Sequence, residues 1–543
     1  MTVDNPRGAD LLVEGLKEAG VETVFSLSGN QIMPVYDALH NSGIRIVHTR
    51  HEGAAVYMAE AAAQVTGRVG VALITAGPGF ANGLSAIYTA LESETPLVVL
   101  SGDSPTGRDG RGAFQELDQA AAATVMAKGS FRCRSASEFK QDVLRAIALA
   151  EAGRPGPVHL ALPDDVLRQH ADPGQTSVVP LPSEPPEFTD QDLEAILTVL
   201  RSAAKPLVLA GPAYCRPRMK KRLADLAQAL NVPSIAFESP RGLRAPRLGA
   251  FAEVLGDADA IVTLGKPLNF MVGFADANAV AADCRIIQID ADADVLQRDR
   301  ACRSDRSIAQ FHAHPSAALG ALESVASGNA HPANAWYREV LDAVQFRPEG
   351  WQKDAENLDA VGPFHFGMAV APFVEQNPQS CLIIDGGEIG QWCQALLDAE
   401  TAMINGPSGA IGGAIPYAIG AVVARPDQPV ITIMGDGTAG FYLAEFETAV
   451  REKTPFVAII GNDAKWNAEH QIQLRDYGPD RAHSCELTPA RYDLVVSALG
   501  GHGELVTAKD DLQPAISRAF ASGKPACINV MIEGQAAPTV KRA

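Results

Sequence analysis

Short apolar runs alternate with segments of helical periodicity along most of the chain. In the N-terminal part, the pattern predicts strands at residues 23–27, 46–49, 71–74 and 96–101, and helices at residues 10–19, 32–41 and 53–65. Strands that are apolar throughout and alternate with helices are typical of parallel sheets covered on both faces. We therefore expect an α/β fold built from doubly wound parallel sheets.

The same alternation returns in two further segments. The middle one has predicted helices at 190–202 and 219–230 and strands at 206–210, 260–265 and 285–290. The last one has predicted strands at 381–385, 429–434 and 456–461 and helices at 411–423 and 443–451. Residues 170–187, rich in Pro, Ser and Gly, are typical of a linker, and a second loose stretch at 324–362 contains one short predicted helix at 335–344. We expect three domains, at residues 1–170, 188–325 and 360–535.

Composition narrows the possible partners. The net charge of −19 argues against binding to a nucleic acid. The most apolar runs have the length of strands and are too short to span a membrane, and the N-terminus has no signal-peptide pattern. The eight cysteines are scattered without a CxxC pair, which indicates neither a zinc site nor a disulfide framework. These features favour a cytoplasmic protein that acts on small molecules.

The most specific chemical signal follows two strands of the last segment. Gly435-Asp436-Gly437 directly follows the strand at 429–434, and Asn462-Asp463 follows the strand at 456–461. Loops at the carboxyl ends of parallel strands face the ligand crevice, so we expect Asp436 and Asp463 to lie side by side there. Mg²⁺ usually binds one or two carboxylates together with phosphate oxygens. Gly-Asp-Gly alone is equally compatible with a simple strand-to-helix turn, and the second acidic loop favours a metal site.

Five stretches give the chain a resemblance to the thiamine-diphosphate (ThDP) enzyme superfamily, within the group of acetolactate synthase, benzaldehyde lyase and 2-hydroxyacyl-CoA lyase. They lie at residues 20–25, 49–55, 75–79 and 113–116 and from Gly435 to Asp463, and the resemblance covers nearly the whole chain. It implies a pyrimidine-binding first domain, a Rossmann-like middle domain and a third domain that binds the diphosphate and Mg²⁺. It also implies a homodimer or homotetramer with the active site between subunits.

The resemblance assigns the central roles to five residues. Glu52 matches the glutamate that bonds the aminopyrimidine ring, which requires a buried carboxyl group; in isolation, Glu52 is equally compatible with a carboxylate that caps a helix. Gln115 matches a glutamine that points at the reacting centre. Asp436, Asp463 and the backbone carbonyl of Lys465 would hold Mg²⁺. Asp463 stands where the family usually has Asn, and its extra negative charge could be offset by Lys465.

Further cofactor contacts follow from the same resemblance. Residues 405–413 resemble the segment that bends ThDP, with Ile411 between the two rings and the Gly409 carbonyl accepting from the amino group; a glycine-rich helix start is the alternative. The loop at residues 385–389, which follows a predicted strand, resembles one that contacts the diphosphate. The complete predicted set is Gly386, Gly387, Glu388, Ile389, Gly409, Ile411, Gly435, Gly437, Thr438, Ala439, Lys465 and Trp466.

The resemblance leaves the substrate open. Its substrate-side candidates are Ser28, Asn30, Gln31, Phe114, Trp392, Ala468, Glu469 and His470. Benzaldehyde lyase carries histidines at the positions of Ser28 and Gln31, so a benzaldehyde-type pocket is disfavoured. His470, like His51, is equally compatible with a structural role.

The expected activity is that of a carboligase or lyase. It would act on 2-keto acids, aldehydes or acyloins through an enamine formed on ThDP, as in acetolactate synthase. The alternative is a 2-hydroxyacyl-CoA or oxalyl-CoA type lyase or decarboxylase, although the short segment after Ile532 argues modestly against it. A non-catalytic regulatory homologue would lack Glu52 or Asp436, and both are present. Gly211-Pro212-Ala213 is a poor match to GxGxxG, and whether FAD or a CoA moiety binds the middle domain stays open.

Overall fold

The computed structural model describes residues 5–172, 185–303, 308–332, 335–404 and 406–542. The greater part of the predicted linker, and Asn405 of the predicted cofactor-bending run, therefore lie outside the described residues.

The first domain is a six-stranded parallel sheet with helices on both faces. Its strands are β1 (Thr23–Ser26), β2 (Arg45–His48), β3 (Gly70–Ile74), β4 (Leu97–Asp103), β5 (Gly129–Arg132) and β6 (Pro157–Pro163), in the order β2-β1-β3-β4-β6-β5. Its helices are α1 (Gly8–Glu18), α2 (Met33–Leu39), α3 (Glu52–Thr66), α4 (Pro78–Glu92), α5 (Gln119–Ala123), α6 (Phe139–Glu151) and α7 (Asp164–Arg168). The central strands β3, β4 and β6 are buried along their whole length, as expected for a sheet covered on both faces.

The middle domain is a five-stranded parallel sheet. It contains α8 (Asp190–Ser202), β7 (Pro206–Ala210), α9 (Pro217–Leu230), β8 (Ser234–Ala236), α10 (Phe251–Leu255), β9 (Ala260–Leu264), β10 (Arg285–Asp290), α11 (Ala293–Cys302), β11 (Ile308–His312) and α12 (Pro315–Val325). The strand order is β11-β10-β9-β7-β8. The next helix, α13 (Ala335–Gln345), packs Trp336, Val340 and Ala343 into the same core, and α14 (Gly350–Glu356) follows it.

The third domain is again a six-stranded parallel sheet. It contains α15 (Pro363–Gln376), β12 (Cys381–Asp385), α16 (Gly387–Leu396), β13 (Thr401–Ile404), α17 (Ala414–Ala424), β14 (Val430–Gly435), α18 (Asp436–Ala439), α19 (Glu445–Glu452), β15 (Val457–Asn462), α20 (Asn467–Tyr477), α21 (Tyr492–Ala498), β16 (His502–Val506), α22 (Leu512–Ala521) and β17 (Ala526–Met531). The strand order is β13-β12-β14-β15-β17-β16. The predicted fold class, with three doubly wound parallel sheets, is confirmed.

Two sequence-based predictions about secondary structure were wrong. The helix predicted at residues 411–423 begins only at Ala414, because Gly412 has a φ of +105°, which no residue within a helix adopts. The stretch at residues 324–362 was predicted to be loose apart from one helix, and it also contains α14. Among the described residues, no helix is both long enough and apolar enough to cross a membrane.

The first and third domains share one hydrophobic core, which lies between α3 and α17. Met58 and Tyr57 of α3 and Tyr417 and Ile419 of α17 are buried in this core. The hydroxyl group of Tyr417 donates to the Glu60 carboxylate at 2.8 Å. A Cβ atom on Gly420 would overlap the carbonyl oxygen of Met58. The close contact between the two helices therefore requires glycine at this position.

We expect Gly420→Ala to destabilise the protein by about 1–3 kcal/mol, because the added methyl group forces the α3 backbone away from α17. Gly320→Ala is the matched control. Gly320 lies within α12, and a Cβ atom there would only reach Arg222 at 3.8 Å, so this substitution should be neutral or stabilise by up to about 1 kcal/mol. Urea-unfolding midpoints of both variants test this, and equal midpoints would contradict the close contact.

Candidate active site

Two carboxylates lie together at the carboxyl edge of the third sheet. Strands β14 and β15 are neighbours, with Gly435 paired to Gly461, so Asp436 and Asp463 leave adjacent strands at the same edge. Burial and the neighbouring Asp463 carboxyl group raise the pKa of Asp436 to about 7. Burial also raises the pKa of Asp463 to about 6, although Lys465 opposes this shift. Without a cation between them, the two groups resist ionisation together.

The surroundings of Asp436 fit a bound divalent cation. Its Oδ2 atom is buried and has no hydrogen-bond partner among the described residues. Nowhere in the described ranges do three or more His, Cys, Asp or Glu side chains form a group that could hold a metal ion. Two carboxylates completed by carbonyl and phosphate oxygens are, however, a usual arrangement for Mg²⁺. The site therefore suits Mg²⁺ bound together with a phosphate-bearing molecule.

A cleft of about 80 Å³ opens beside these two carboxylates, and we call it the third-domain cleft. A Cβ atom on Gly437 would lie 2.6 Å from the Trp466 ring, so glycine keeps this wall open. The predicted residues that line the cleft are Gly387, Glu388, Ile389, Ile411, Gly435, Asp436, Gly437, Thr438, Asp463, Lys465, Trp466, Ala468 and Glu469. Gly461 and Asn467 also line it and were not predicted.

Asp385 positions one wall of the third-domain cleft. It ends β12, is 2% exposed, and its Oδ2 atom accepts from the backbone N–H groups of Gly412 at 2.9 Å and Ala414 at 3.1 Å. These bonds fix the segment that carries Ile411 to the cleft. Burial raises the pKa of Asp385 to about 7, and the two N–H donors oppose the shift. The sequence placed Asp385 in a diphosphate-contacting loop, and its bonds to Gly412 and Ala414 were not predicted because these partners are 27 and 29 residues away in the chain.

Glu52 lies at the beginning of α3 in the first domain and is 9% exposed. The residue that caps this helix is His51, whose Nδ1 atom accepts from the Gly53 N–H at 3.0 Å. The Glu52 carboxylate is thus not the cap and remains available for another partner. Its Oε2 atom accepts from the Asn82 amide at 3.0 Å, and a Cβ atom on Gly79 would lie 3.1 Å from Oε1.

Gln115 and Gln31 form a hydrogen-bonded chain with Thr75. The Gln31 amide donates to Oε1 of Gln115 at 2.8 Å, and the Thr75 hydroxyl donates to Oε1 of Gln31 at 3.0 Å. Gln115 has a φ of +59°, and Gly77 packs against its backbone. A residue other than glycine keeps a left-handed backbone conformation only where the surrounding structure enforces it, and such residues concentrate at functional sites. We call Glu52, Asn82, Gln31, Thr75 and Gln115 the first-domain cluster.

The remaining predicted residues are dispersed. Phe114 is 75% exposed, Asn30 is exposed, and Ser28 bonds the His48 ring at 3.1 Å. Trp392 does not line the third-domain cleft, because its indole donates to the Ala536 carbonyl at 2.8 Å and lies beneath the C-terminal segment. The other predicted residues that do not line the cleft are Gly386, Gly409, Ala439 and His470.

The first-domain cluster and the third-domain cleft are separate within one chain, in that no hydrogen bond or ion pair between the residues that the structure describes joins them. Next to Glu52 in the sequence, the His51 ring meets the Tyr442 ring, which lies on the segment after α18, with a centroid separation of 5.3 Å.

Family models of known proteins match both the part of the chain that carries the first-domain cluster and the part that carries the third-domain cleft. The family model for the N-terminal TPP binding domain of thiamine pyrophosphate enzymes matches residues 6–122, and the model for the C-terminal TPP binding domain matches residues 385–530. The acetolactate synthase large subunit IlvG of Mycobacterium tuberculosis is 32% identical over 96% of this chain and 95% of its own. The chain belongs to the thiamine pyrophosphate enzyme family.

Two further comparisons extend this relationship. The 2-hydroxyacyl-CoA lyase 2 of Danio rerio is 28% identical over 97% of this chain and 92% of its own. The structure of the Rhodococcus jostii RHA1 thiamine diphosphate-dependent 4-hydroxybenzoylformate decarboxylase superposes with a TM-score of 0.80 over 98% of this chain and 100% of its own. At 21% identity, this superposition shows the shared fold. The protein is thus a ThDP-dependent enzyme related to acetolactate synthase and 2-hydroxyacyl-CoA lyase.

We expect Asp385→Ala to weaken ThDP binding and lower stability, because two buried N–H donors lose their acceptor at a cost of about 1–3 kcal/mol each. Calorimetric titration with ThDP and thermal unfolding measure the two effects. Asp398→Ala is the control, since Asp398 is 71% exposed in its pair with Lys220, and such surface pairs contribute about 0–1 kcal/mol. Equal ThDP affinity in the two variants would contradict the positioning role of Asp385.

Proposed function

We propose that this enzyme is a Mg²⁺- and ThDP-dependent carboligase or lyase that makes or breaks a carbon–carbon bond next to a carbonyl group. Its substrates would be 2-keto acids, aldehydes or acyloins, as in acetolactate synthase. The observation that carries this proposal is the pair Asp436 and Asp463, in which Oδ2 of Asp436 is buried without a partner among the described residues. That arrangement lies within the part of the chain that matches the C-terminal TPP binding domain.

The third-domain cleft would hold the diphosphate end of the cofactor. Asp436, Asp463 and the backbone carbonyl of Lys465 would bind Mg²⁺, and the Lys465 ammonium group would offset the charge that Asp463 adds. The hydroxyl group of Thr438 and the glycine backbone of residues 435–437 would donate to phosphate oxygens. The bulky side chain of Ile411 would support the bent cofactor. We place these functions in a domain at residues 360–535, with the pyrimidine-binding domain at 1–170 and the middle domain at 188–325.

The first-domain cluster would act on the other end of the cofactor. Bound ThDP supplies the carbon nucleophile and the electron sink for the breaking bond. The Oε2 atom of Glu52 accepts a hydrogen bond from the Asn82 amide. The other oxygen, Oε1, lies beside Gly79 and would hold the proton that activates the pyrimidine ring. Glu52 is 9% exposed, so bulk water has little access to this carboxyl group.

The substrate would meet amide groups rather than imidazoles in the first domain. Gln31 and Gln115 bond each other, and their remaining donors and acceptors are suited to orienting a carbonyl or carboxylate oxygen. Neither group titrates near neutral pH. On this basis, the first domain binds and orients the substrate, and proton transfer falls to Glu52 and the cofactor.

We further propose that the active site forms between two subunits of a homodimer or homotetramer. The separation of the two regions within one chain supports this assembly. Asn82 also supports it, since its side chain is exposed in the single chain although it bonds Glu52.

All eight cysteines are free, which supports a reducing compartment such as the cytoplasm.

A 2-hydroxyacyl-CoA lyase activity is the second candidate. The 28% identity to the Danio rerio enzyme over almost the whole of both chains favours it. The two activities differ in the substrate that carries the bond to be broken, and product detection separates them.

A substrate screen with an active-site variant tests the proposed activity. Pyruvate, glyoxylate, aromatic acyloins and 2-hydroxyacyl-CoAs are supplied with ThDP and Mg²⁺, and carbon–carbon bond products are detected by mass spectrometry. We expect turnover of a 2-keto acid or acyloin.

Glu52→Gln should keep ThDP affinity but lose about 10²–10⁴-fold in turnover, because an amide cannot exchange the proton. Glu14→Gln, on the surface of α1, is the control. Wild-type turnover by Glu52→Gln would remove Glu52 from the mechanism.

Substitution of the two aspartates tests the Mg²⁺ site. ThDP with Mg²⁺ at a hundredfold excess over Kd should stabilise the wild-type protein by about 2.7 kcal/mol. Asp436→Asn should lose most of this gain, because a buried charge that faces the ion is removed. Asp463→Asn should keep it, since a carboxamide oxygen still binds Mg²⁺ and one negative charge beside the diphosphate disappears. Thermal unfolding with and without EDTA measures the effect, and an equal loss in both variants would contradict this assignment.

A further inference from the structure

The middle sheet has a crevice of the kind that binds nucleotides in other α/β proteins. In the order β11-β10-β9-β7-β8, the chain leaves β7 and β9 in opposite directions, and ligands of open parallel sheets bind outside the carboxyl ends of strands at such a point. Gly211 follows β7 and Gly265 follows β9. The two are so close that a Cβ atom on Gly211 would overlap the Gly265 carbonyl oxygen. We call this point the middle-domain crevice.

A carboxylate from the first domain fills the middle-domain crevice. Glu94, which follows α4, is 6% exposed, and its Oε2 atom accepts from the backbone N–H of Ala213 at 3.1 Å. The same atom would lie 3.2 Å from a Cβ atom on Gly211, which places the carboxylate over the end of β7. Phosphates in such folds are held by backbone N–H groups in this position. The Glu94 carboxylate thus takes the place of an anionic ligand.

At the middle-domain crevice, Arg154 is already engaged by two carboxylates of the chain, whereas the Nζ atom of the buried Lys266 contacts Sδ of Met271 at 3.1 Å. Arg154 contacts Oε1 of Glu94 at 2.6 Å through Nη1 and Oδ2 of Asp290 at 2.5 Å through Nη2. Both carboxylate side chains are almost fully buried, at 6% and 1% exposure. Lys266 is fully buried near Glu94, where burial lowers its pKa to about 7. A diphosphate would therefore compete with Glu94 and Asp290 for Arg154, which also lines the neighbouring groove.

The second helix start at this edge is also occupied by a carboxylate. Asp292 caps α11, and its Oδ1 atom accepts from the N–H groups of Asp294 at 2.9 Å and Val295 at 3.4 Å. The neighbouring groove, of about 400 Å³, is lined by Asp292 and Asp294 as well as Lys128. These two backbone positions are therefore filled by side chains of this chain.

The backbone around Glu94 indicates that its position is strongly determined. Glu94 has a φ of +52°, a left-handed conformation that a residue with a Cβ atom adopts only when its surroundings require it. The preceding Ser93 carbonyl accepts from Nη2 of Arg216 at 2.9 Å, and Arg216 pairs with the buried Glu238 at 2.9 Å. The turn from the first domain is thus held by two arginines.

We propose that Glu94, a residue of the first domain, occupies the place of a ligand anion in the middle-domain crevice. It thereby closes the crevice and connects the first domain to the middle domain. The crevice then accepts neither FAD nor the adenosine diphosphate part of CoA. This inference stands on the contacts of Glu94, and a 2-hydroxyacyl-CoA substrate would have to place its adenosine diphosphate part outside this crevice.

The first arm of the test uses the full-length protein with ThDP and Mg²⁺. Calorimetric titrations with FAD and with ADP should show no binding at millimolar concentrations, and the purified protein should show no flavin absorbance. Binding of either nucleotide by the wild-type protein would overturn the proposal. ThDP binding in the same preparation shows that the protein is folded, so that failure of this inference and failure of the proposed activity are distinguishable.

The second arm removes the carboxylate and supplies a replacement anion. Glu94→Ser should unfold at a lower temperature than the wild type. Inorganic phosphate, compared with sodium chloride at equal ionic strength, should raise its melting temperature more than it raises that of the wild type. Glu22→Ser, which breaks an exposed pair with Arg68, is the control and should show no extra effect of phosphate. If Glu94→Ser does not fold, Glu94→Gln replaces it with the same expectation. Wild-type stability without a phosphate effect would overturn the role of Glu94.

Discussion

Two carboxyl groups that lie side by side can ionise together only with a positive charge between them, and the carboxyl edge of the third sheet presents such a pair. Asp436 and Asp463 leave adjacent strands, and Oδ2 of Asp436 has no partner in the described part of the chain. Lys465 opposes only part of the resulting repulsion. The glycine at residue 437 keeps open the space that a side chain would fill. A Mg²⁺ ion bound here, as proposed, would allow both carboxyl groups to ionise at this edge.

The middle domain satisfies the same electrostatic requirement internally. Glu94 and Asp290 are buried together, but Arg154 bridges them with short contacts to both. The two sites lie at equivalent edges of parallel sheets, where ligands commonly bind. In the third domain, the proposed cation would come from solution. In the middle domain, the cation is the Arg154 side chain. This difference separates a site prepared for a cofactor from one that holds two domains together.

Sequence patterns predicted the features that depend on neighbouring residues. The buried strands were recognisable as apolar runs, and Asp436 and Asp463 were recognisable because each directly follows such a strand. Contacts between residues far apart in the chain gave no such signal. Glu94 meets Ala213 across 119 residues, and its left-handed backbone cannot be read from the sequence. The bond between Gln31 and Gln115 spans 84 residues, so both were suggested by resemblance rather than by pattern.

The packing of α3 explains why a single chain would not complete the proposed active site. Glu52 begins this helix, and the following turns are buried against α17 in the core shared by the first and third domains. Movement of Glu52 toward the cleft of its own chain would therefore require this core to open. The Asn82 side chain remains exposed beside it, as expected for a surface that another subunit covers. The contact that joins the two domains thus also holds Glu52 in place, and in the proposed assembly it would face the third-domain cleft of a second copy.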